Sequence, residues 1–154
     1  MKRFFNDKYK GKVLAVASFG GHETQLRCLL DNIVSQDFTY VSTVCDESHG
    51  ERSFIVRDCN MKTPFSFLVC FIESLVIFLK VRPEVVVTTG ALPGLSFVIL
   101  ARLFFKKSIW IDSIANADKL SFSGKVAKYI ATICLTQWKS IEDGNRVLYK
   151  GSIL

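Results

Sequence analysis

The run Val13–Thr24, VLAVASFGGHET, constrains this chain more than any other stretch. Val13, Leu14, Val16 and Ala17 make a nearly unbroken apolar run, the pattern of a parallel strand buried on both faces. Ser18 ends it, and Gly20 and Gly21, lacking Cβ atoms, allow a sharp turn and a close approach of backbone N–H groups to a ligand. From His22 the period changes. Leu26, Leu29, Leu30, Ile33 and Val34 recur at i, i+3, i+4, i+7 and i+8, one face of an α-helix. A strand therefore delivers a glycine turn to a helix N-terminus, whose unpaired N–H groups and dipole attract phosphate or carboxylate. Two glycines alone are equally consistent with a plain tight turn.

The same grammar returns later. Glu84–Thr89, with Val85, Val86 and Val87, predicts a second buried strand, followed by Gly90-Ala91-Leu92-Pro93-Gly94 and a helix over Leu95–Phe105. Pro93 suits the first helical position, where its missing N–H would be unpaired anyway. Further strands are expected at Phe38–Val44, Phe54–Arg57, Ser108–Ile111, Ile133–Thr136 and Val147–Tyr149. A helix is expected over Gly124–Ala131, capped by Ser121 or Ser123. Strands alternating with helices predict a parallel α/β sheet with right-handed crossovers, Rossmann-like, with helices on both faces. If the Val13 and Val85 strands are neighbours, the loops at Gly20 and Gly90 face one another across the switch-point crevice, where such sheets bind ligands.

The segment Phe65–Leu79 is apolar almost throughout, but its 15 residues fall short of the roughly 20 that span a bilayer, and Glu73 sits at its middle. Ser66, Glu73 and Lys80 make one narrow polar stripe. The wide apolar remainder calls for another element, a partner or lipid, internal burial being the commoner case.

At 154 residues the chain supports one core, so residues 1–154 are read as a single domain preceded by a basic segment, 1–11. Five cysteines without a C-x-x-C pair, and only two histidines, argue for reduced core thiols rather than a zinc cluster. The polar start shows no signal peptide, which predicts a cytosolic setting. The net charge of +6 is uneven: five cations and one acid in residues 1–12, six and nine in 13–99, nine and four in 100–154. Basic ends of this kind suit phosphates, anionic lipid or nucleic acid, or are simply solvated lysines.

Several chemistries fail on spacing. A dinucleotide site wants G-x-G-x-x-G; Asp46 is placed for a ribose, but the three-glycine spacing is missing. No P-loop follows either glycine turn. Gly94-Leu95-Ser96-Phe97-Val98 lacks the last glycine of a nucleophile elbow. His22 remains, beside the glycine turn at the crevice mouth, either as a proton acceptor or as a helix cap. Asp112, at the end of another strand, either reaches the same crevice or caps its own loop.

Taken together, Ser18-Phe19-Gly20-Gly21-His22, Thr89–Gly94, Trp110-Ile111-Asp112-Ser113, Leu120–Lys125 and Gln137-Trp138 resemble the oligosaccharide-biosynthesis subunits of split GT-B glycosyltransferases, including the membrane-recruiting subunit of the N-acetylglucosaminyltransferase that extends dolichol-linked sugar and its bacterial capsule or exopolysaccharide relatives. The resemblance implies the N-terminal half of a GT-B enzyme, inactive alone, with a second subunit that binds most of the nucleotide-sugar donor. It implies a polyprenyl-diphosphate-linked acceptor cradled by Gly20, Gly21, Gly90 and Gly94, with His22 as base and Asp112 aligning it. It implies no metal cofactor, no nucleic-acid partner, and peripheral attachment to the cytosolic face of a membrane through lysines and apolar side chains. Two readings of another kind compete with it: a non-catalytic scaffold, and a nucleotide- or dinucleotide-binding module.

Overall fold

β1 (Val13–Val16) and β4 (Val85–Thr88) lie side by side at the centre of a seven-stranded parallel sheet, paired from Val13↔Val85 to Val16↔Thr88. The computed structural model describes residues 12–31, 38–45, 53–59 and 64–153. To one side of β1 stand β2 (Phe38–Ser42) and β3 (Ser53–Ile55); beyond β4 stand β5 (Lys107–Ile111), β6 (Ile133–Thr136) and β7 (Val147–Tyr149). The order β3-β2-β1-β4-β5-β6-β7 places the reversal of winding between β1 and β4, as the two glycine loops required.

Strand pleating divides the core in two, because successive side chains point to opposite faces. Leu14, Val16, Val86, Trp110, Cys134 and Val147 face one way, packed against α2 (Pro64–Val81), α3 (Ala91–Leu103) and α4 (Phe122–Ile130). Val13, Ala15, Ala17, Val85, Val87, Ile109 and Ile111 face the other way, toward Leu26 and Leu30 of α1 (Gly21–Leu30). Right-handed crossovers explain the split, since connections running leftward from β1 and rightward from β4 must use opposite faces. Helices occupy both faces, but unequally. Beside β5, β6 and β7, on the α1 face, a groove of about 430 Å³ opens between Ile111, Leu135, Leu148 and Ile153.

Most expected elements form, with instructive shifts. α3 begins at Ala91, so Pro93 is its third residue, still within the first turn, where no intrahelical N–H donor is lost. The expected continuation of α1 to Val34, and Asp46, lie outside the described residues, as does the basic segment 1–11. The surplus apolar surface of α2 is not taken up internally. Cys70, Ser74, Ile77 and Phe78 face the sheet, while Phe65, Leu68, Ile72, Val76 and Leu79 are exposed. The reason is geometric: α3, whose residues Leu92–Val98 are all buried, occupies the space over β4, and among the described residues no element covers the far side of α2. Among the described residues, no helix is long and apolar enough to cross a membrane.

Candidate functional site

The two loops at the carboxyl ends of β1 and β4 share one backbone device. Gly20 caps α1 at φ 93°, ψ −137°, and Gly90 caps α3 at φ 123°, ψ −156°, a region open essentially only to glycine. Neither helix start receives a side-chain cap, so both present backbone N–H groups and the positive end of a helix dipole at the same edge of the sheet. A Cβ on Gly20 or Gly21 would meet open space, whereas one on Gly90 would lie 3.0 Å from His22 Cε1. Glycine at position 90 thus makes room for an imidazole.

His22 is the link between the loops. Its Nδ1 lies 2.9 Å from the Thr89 carbonyl oxygen, and the Thr89 hydroxyl donates to the His22 carbonyl at 2.6 Å. A carbonyl only accepts, so Nδ1 carries the proton of the neutral ring and Nε2 keeps its lone pair. The ring is partly exposed, and its orientation is held from the loop after β4, 67 residues away in sequence.

Asp112 has a different setting. It is 2% exposed, and its carboxylate accepts from Trp110 Nε1 at 3.2 Å, Ser121 N at 2.9 Å and the Ser121 hydroxyl at 2.6 Å. None of its bonds goes to His22. Because the Ser121 hydroxyl gives its one proton to Asp112, its lone pairs face Gly124 N, which donates at 2.8 Å and caps α4. Ser121, not Ser123, is therefore the cap. A Cβ on Gly124 would sit 2.6 Å from the Asp112 carboxylate, so this glycine serves packing. Gly94 does the same one helix away, since a Cβ there would run into the Thr88 hydroxyl.

Behind the loops lies a buried amide network. Gln137 Nε2 donates to Gln25 Oε1 at 3.1 Å and to the Asp112 carbonyl at 3.1 Å, Gln25 Nε2 donates to Ser113 Oγ at 3.2 Å, and Ile153 N donates to Gln137 Oε1 at 3.3 Å. Glu23, also buried, accepts from Ser42 Oγ at 3.2 Å and pairs with Arg27 at 3.1 Å. The structure thus brings Gly20, Gly21, His22 and Gly90 together and sets Asp112 and Gly94 into the supporting layer. Thr89, Gly124 and Gln25 carry roles that spacing alone did not assign, and Ser121, expected only as a cap, also holds Asp112. The Thr-Thr-Gly end of β4, hydroxyls where a buried strand meets a glycine turn, was the available signal for Thr89.

The fold defines a class first. It matches the N-terminal half of GT-B-like proteins: MurG of Acinetobacter baumannii superposes with a TM-score of 0.75 at 11% identity, over 90% of this chain and 45% of that one. The UDP-GlcNAc 2-epimerase of Methanocaldococcus jannaschii, in complex with UDP-GlcNAc and UDP, gives 0.68 at 14% identity, over 92% and 46%. Within that class, residues 49–153 match the family described as "Oligosaccharide biosynthesis protein Alg14 like", and the chain belongs to it. Curated relatives include the UDP-N-acetylglucosamine transferase subunit ALG14 of Cryptococcus neoformans var. neoformans serotype D (strain B-3501A), 32% identical over 59 residues, covering 38% of this chain and 26% of the relative. The Mus musculus subunit of the same name is 27% identical over 100 residues, covering 60% and 45%. The chain spans less than half the length of both.

Proposed function

We propose that this chain is the acceptor-binding, membrane-associating subunit of a two-chain glycosyltransferase. The complex transfers a sugar from a nucleotide-sugar to a polyprenyl-diphosphate-linked saccharide on the cytosolic face of a membrane. The observation that carries the reading is the 2.9 Å contact of His22 Nδ1 with the Thr89 carbonyl, which leaves Nε2 as the acceptor of the ring beside two helix N-termini without side-chain caps.

The chemistry follows from that arrangement. The N–H groups at Gly20–Gly21 and at the start of α3 just after Gly90, whose own N–H donates to Thr88 Oγ1 at 3.2 Å, hold the acceptor diphosphate, where charge-assisted bonds to backbone donors are strong. The acceptor hydroxyl attacks the anomeric carbon of the donor; the glycosidic C–O bond forms as the bond to the nucleoside diphosphate breaks, and the hydroxyl proton passes to His22 Nε2. Thr89 keeps the ring from rotating, so that the lone pair remains aimed during the step. Asp112 acts through Ser121 and α4 as a positioning residue, and Gly94 seats α3 on Thr88. The donor is held mainly by the second subunit, in keeping with the names of the curated relatives and with a fold that spans half of a GT-B molecule.

Reconstitution tests it. Full chain, partner subunit, lipid-linked acceptor and nucleotide-sugar together should give transfer that neither chain gives alone. His22→Ala should lower kcat by about 10²–10⁴-fold with the complex intact. Full-rate transfer by His22→Ala would remove the proposed base.

A further inference from the structure

α2 carries its apolar residues on the wrong side for a helix that only covers a sheet. Phe65, Leu68, Ile72, Val76 and Leu79 follow one another at i, i+3, i+7, i+11 and i+14, a single line opposite the buried Cys70, Ser74 and Phe78. At ~1.5 Å per residue the line is about 21 Å long. Each of its members is between 49% and 77% exposed, together on the order of 500 Å² of apolar surface, at the upper end of what monomers show.

A second feature continues the line. Phe104 stacks on Phe78 of α2 with ring centroids 5.3 Å apart, which joins the carboxyl ends of α2 and α3. The next residue, Phe105, is 95% exposed and sits at φ 55°. Lys106 N donates to the Ala101 carbonyl and Phe105 N to the Arg102 carbonyl, so this is a Schellman turn with phenylalanine at the left-handed position that glycine normally fills. Glycine there would relieve both backbone strain and the exposure of a ring to water. Fold stability does not explain the phenylalanine.

The charges around this surface select its occupant. Residues 64–107 and α4 together hold seven cations and two carboxylates. Both carboxylates are engaged, Glu73 accepting from Arg57 N at 2.6 Å and Glu84 paired with Lys106 at 2.7 Å. Lys80, Arg82, Arg102 and Lys107 stand in sequence at the carboxyl ends of α2 and α3, next to Leu79 and Phe105, with the Lys80 ammonium 5.2 Å from the Phe54 ring centroid. An apolar line with an aromatic at its boundary and cations at its rim suits an anionic lipid leaflet, with side chains among the acyl chains and cations at the headgroups. The opposite side of α2, with Cys70, Ile77 and Phe78, is packed into the core, so contact with a leaflet would run lengthwise along the outer line.

We infer that the outward face of α2, with Phe105 at its lower end, docks this chain onto an anionic membrane surface. The inference rests on the lipid-linked acceptor proposed above and names the surface that brings the chain to it. With α2 flat on the leaflet, the carboxyl edge of the sheet, where Gly20 and Gly90 cap their helices, stands beside the headgroups that carry a lipid diphosphate.

The test is co-sedimentation of the full chain with vesicles of phosphatidylcholine alone or mixed with phosphatidylglycerol. Wild type should bind the mixed vesicles, and Leu68→Ser/Ile72→Ser/Val76→Ser should bind at least about tenfold more weakly. Lys80→Gln/Arg102→Gln should lose on the order of fivefold per cation on mixed vesicles only. Phe105→Gly should melt at a higher temperature yet bind several-fold more weakly, so a folding defect in the triple variant leaves the test intact. Wild-type binding by both the triple variant and Phe105→Gly would overturn the docking face while leaving membrane association standing. Absence of vesicle binding by wild type would overturn both. A triple variant that still binds vesicles but no longer co-purifies with the second subunit would make the line a protein interface and overturn the inference.

Discussion

Asp112→Ala separates a strut from a reacting group. In the folded chain the carboxylate is 2% exposed and accepts three hydrogen bonds, from Trp110 Nε1, Ser121 N and Ser121 Oγ. Alanine strands the Trp110 N–H on a side chain that is itself 0% exposed, and strands the Ser121 N–H beside it. Each stranded donor costs about 1–3 kcal/mol. The Ser121 hydroxyl, freed to rotate, also loses its fixed orientation toward Gly124 N, worth about 1 kcal/mol as a helix cap. Relief of the buried charge offsets part of this, and the net expectation is about 4 kcal/mol of destabilisation. Against a total of roughly 5–15 kcal/mol for an ordinary domain, that lowers the melting midpoint by on the order of 10 °C. Urea unfolding followed by far-UV circular dichroism gives the number; tryptophan fluorescence from Trp110 gives a second probe beside the change. Asp112→Asn, which keeps one acceptor for Ser121, should recover about half of the loss. A loss of stability below about 1 kcal/mol, together with abolished transfer in the reconstituted complex, would refute the reasoning and make Asp112 a group that touches substrate.

Gly94→Ala should destabilise the chain by about 2 kcal/mol, because its Cβ runs into the Thr88 hydroxyl. Thr88→Ala/Gly94→Ala should recover more than half of that in a double-mutant cycle; strict additivity would contradict the contact. Burial, with Asp112 and Asp143 nearby, pushes the Cys134 thiol up from 9.0 to about 12. The unfolded thiol loses its proton first, so this residue's contribution is intact below pH 9 and is lost as pH rises toward 12. Cys134→Ala should therefore flatten the alkaline limb of a stability profile. Iodoacetamide at pH 8 should modify the exposed Cys28 and Cys45 and leave Cys134 untouched.

The sheet was legible because its central strands leave little choice. Val13–Val16 and Val85–Val87 are apolar on both faces, and each runs into a glycine turn, which together imply neighbouring strands at a switch point. The facing loops were legible for the same reason. What spacing could not show was why each glycine is a glycine. Gly20 is required by backbone angle, Gly94 and Gly124 by a neighbour's side chain and Gly90 by both, and the two causes look identical as a missing Cβ in a string of letters. His22 reads as an isolated histidine until Thr89, 67 residues on, sets its tautomer. Asp112 reads as a strand-end acid until Ser121 and Trp110 enclose it. The periodicity of α2 showed a surplus of apolar positions, but only the placement of α3 shows which of them remain outside.

The unequal layering of helices has a consequence for how long a solitary copy survives. On the α1 face of β5, β6 and β7 a groove of about 430 Å³ stands open, lined mostly by branched aliphatic side chains, with Leu29 of α1 among them, and by Thr136, Gln137 and Lys150. Any molecule that fills the groove binds the folded chain and not the unfolded one, adding by mass action about 2.7 kcal/mol at a hundred times its dissociation constant. A copy whose groove is empty lacks that increment, so it opens more often and meets proteases and aggregation first.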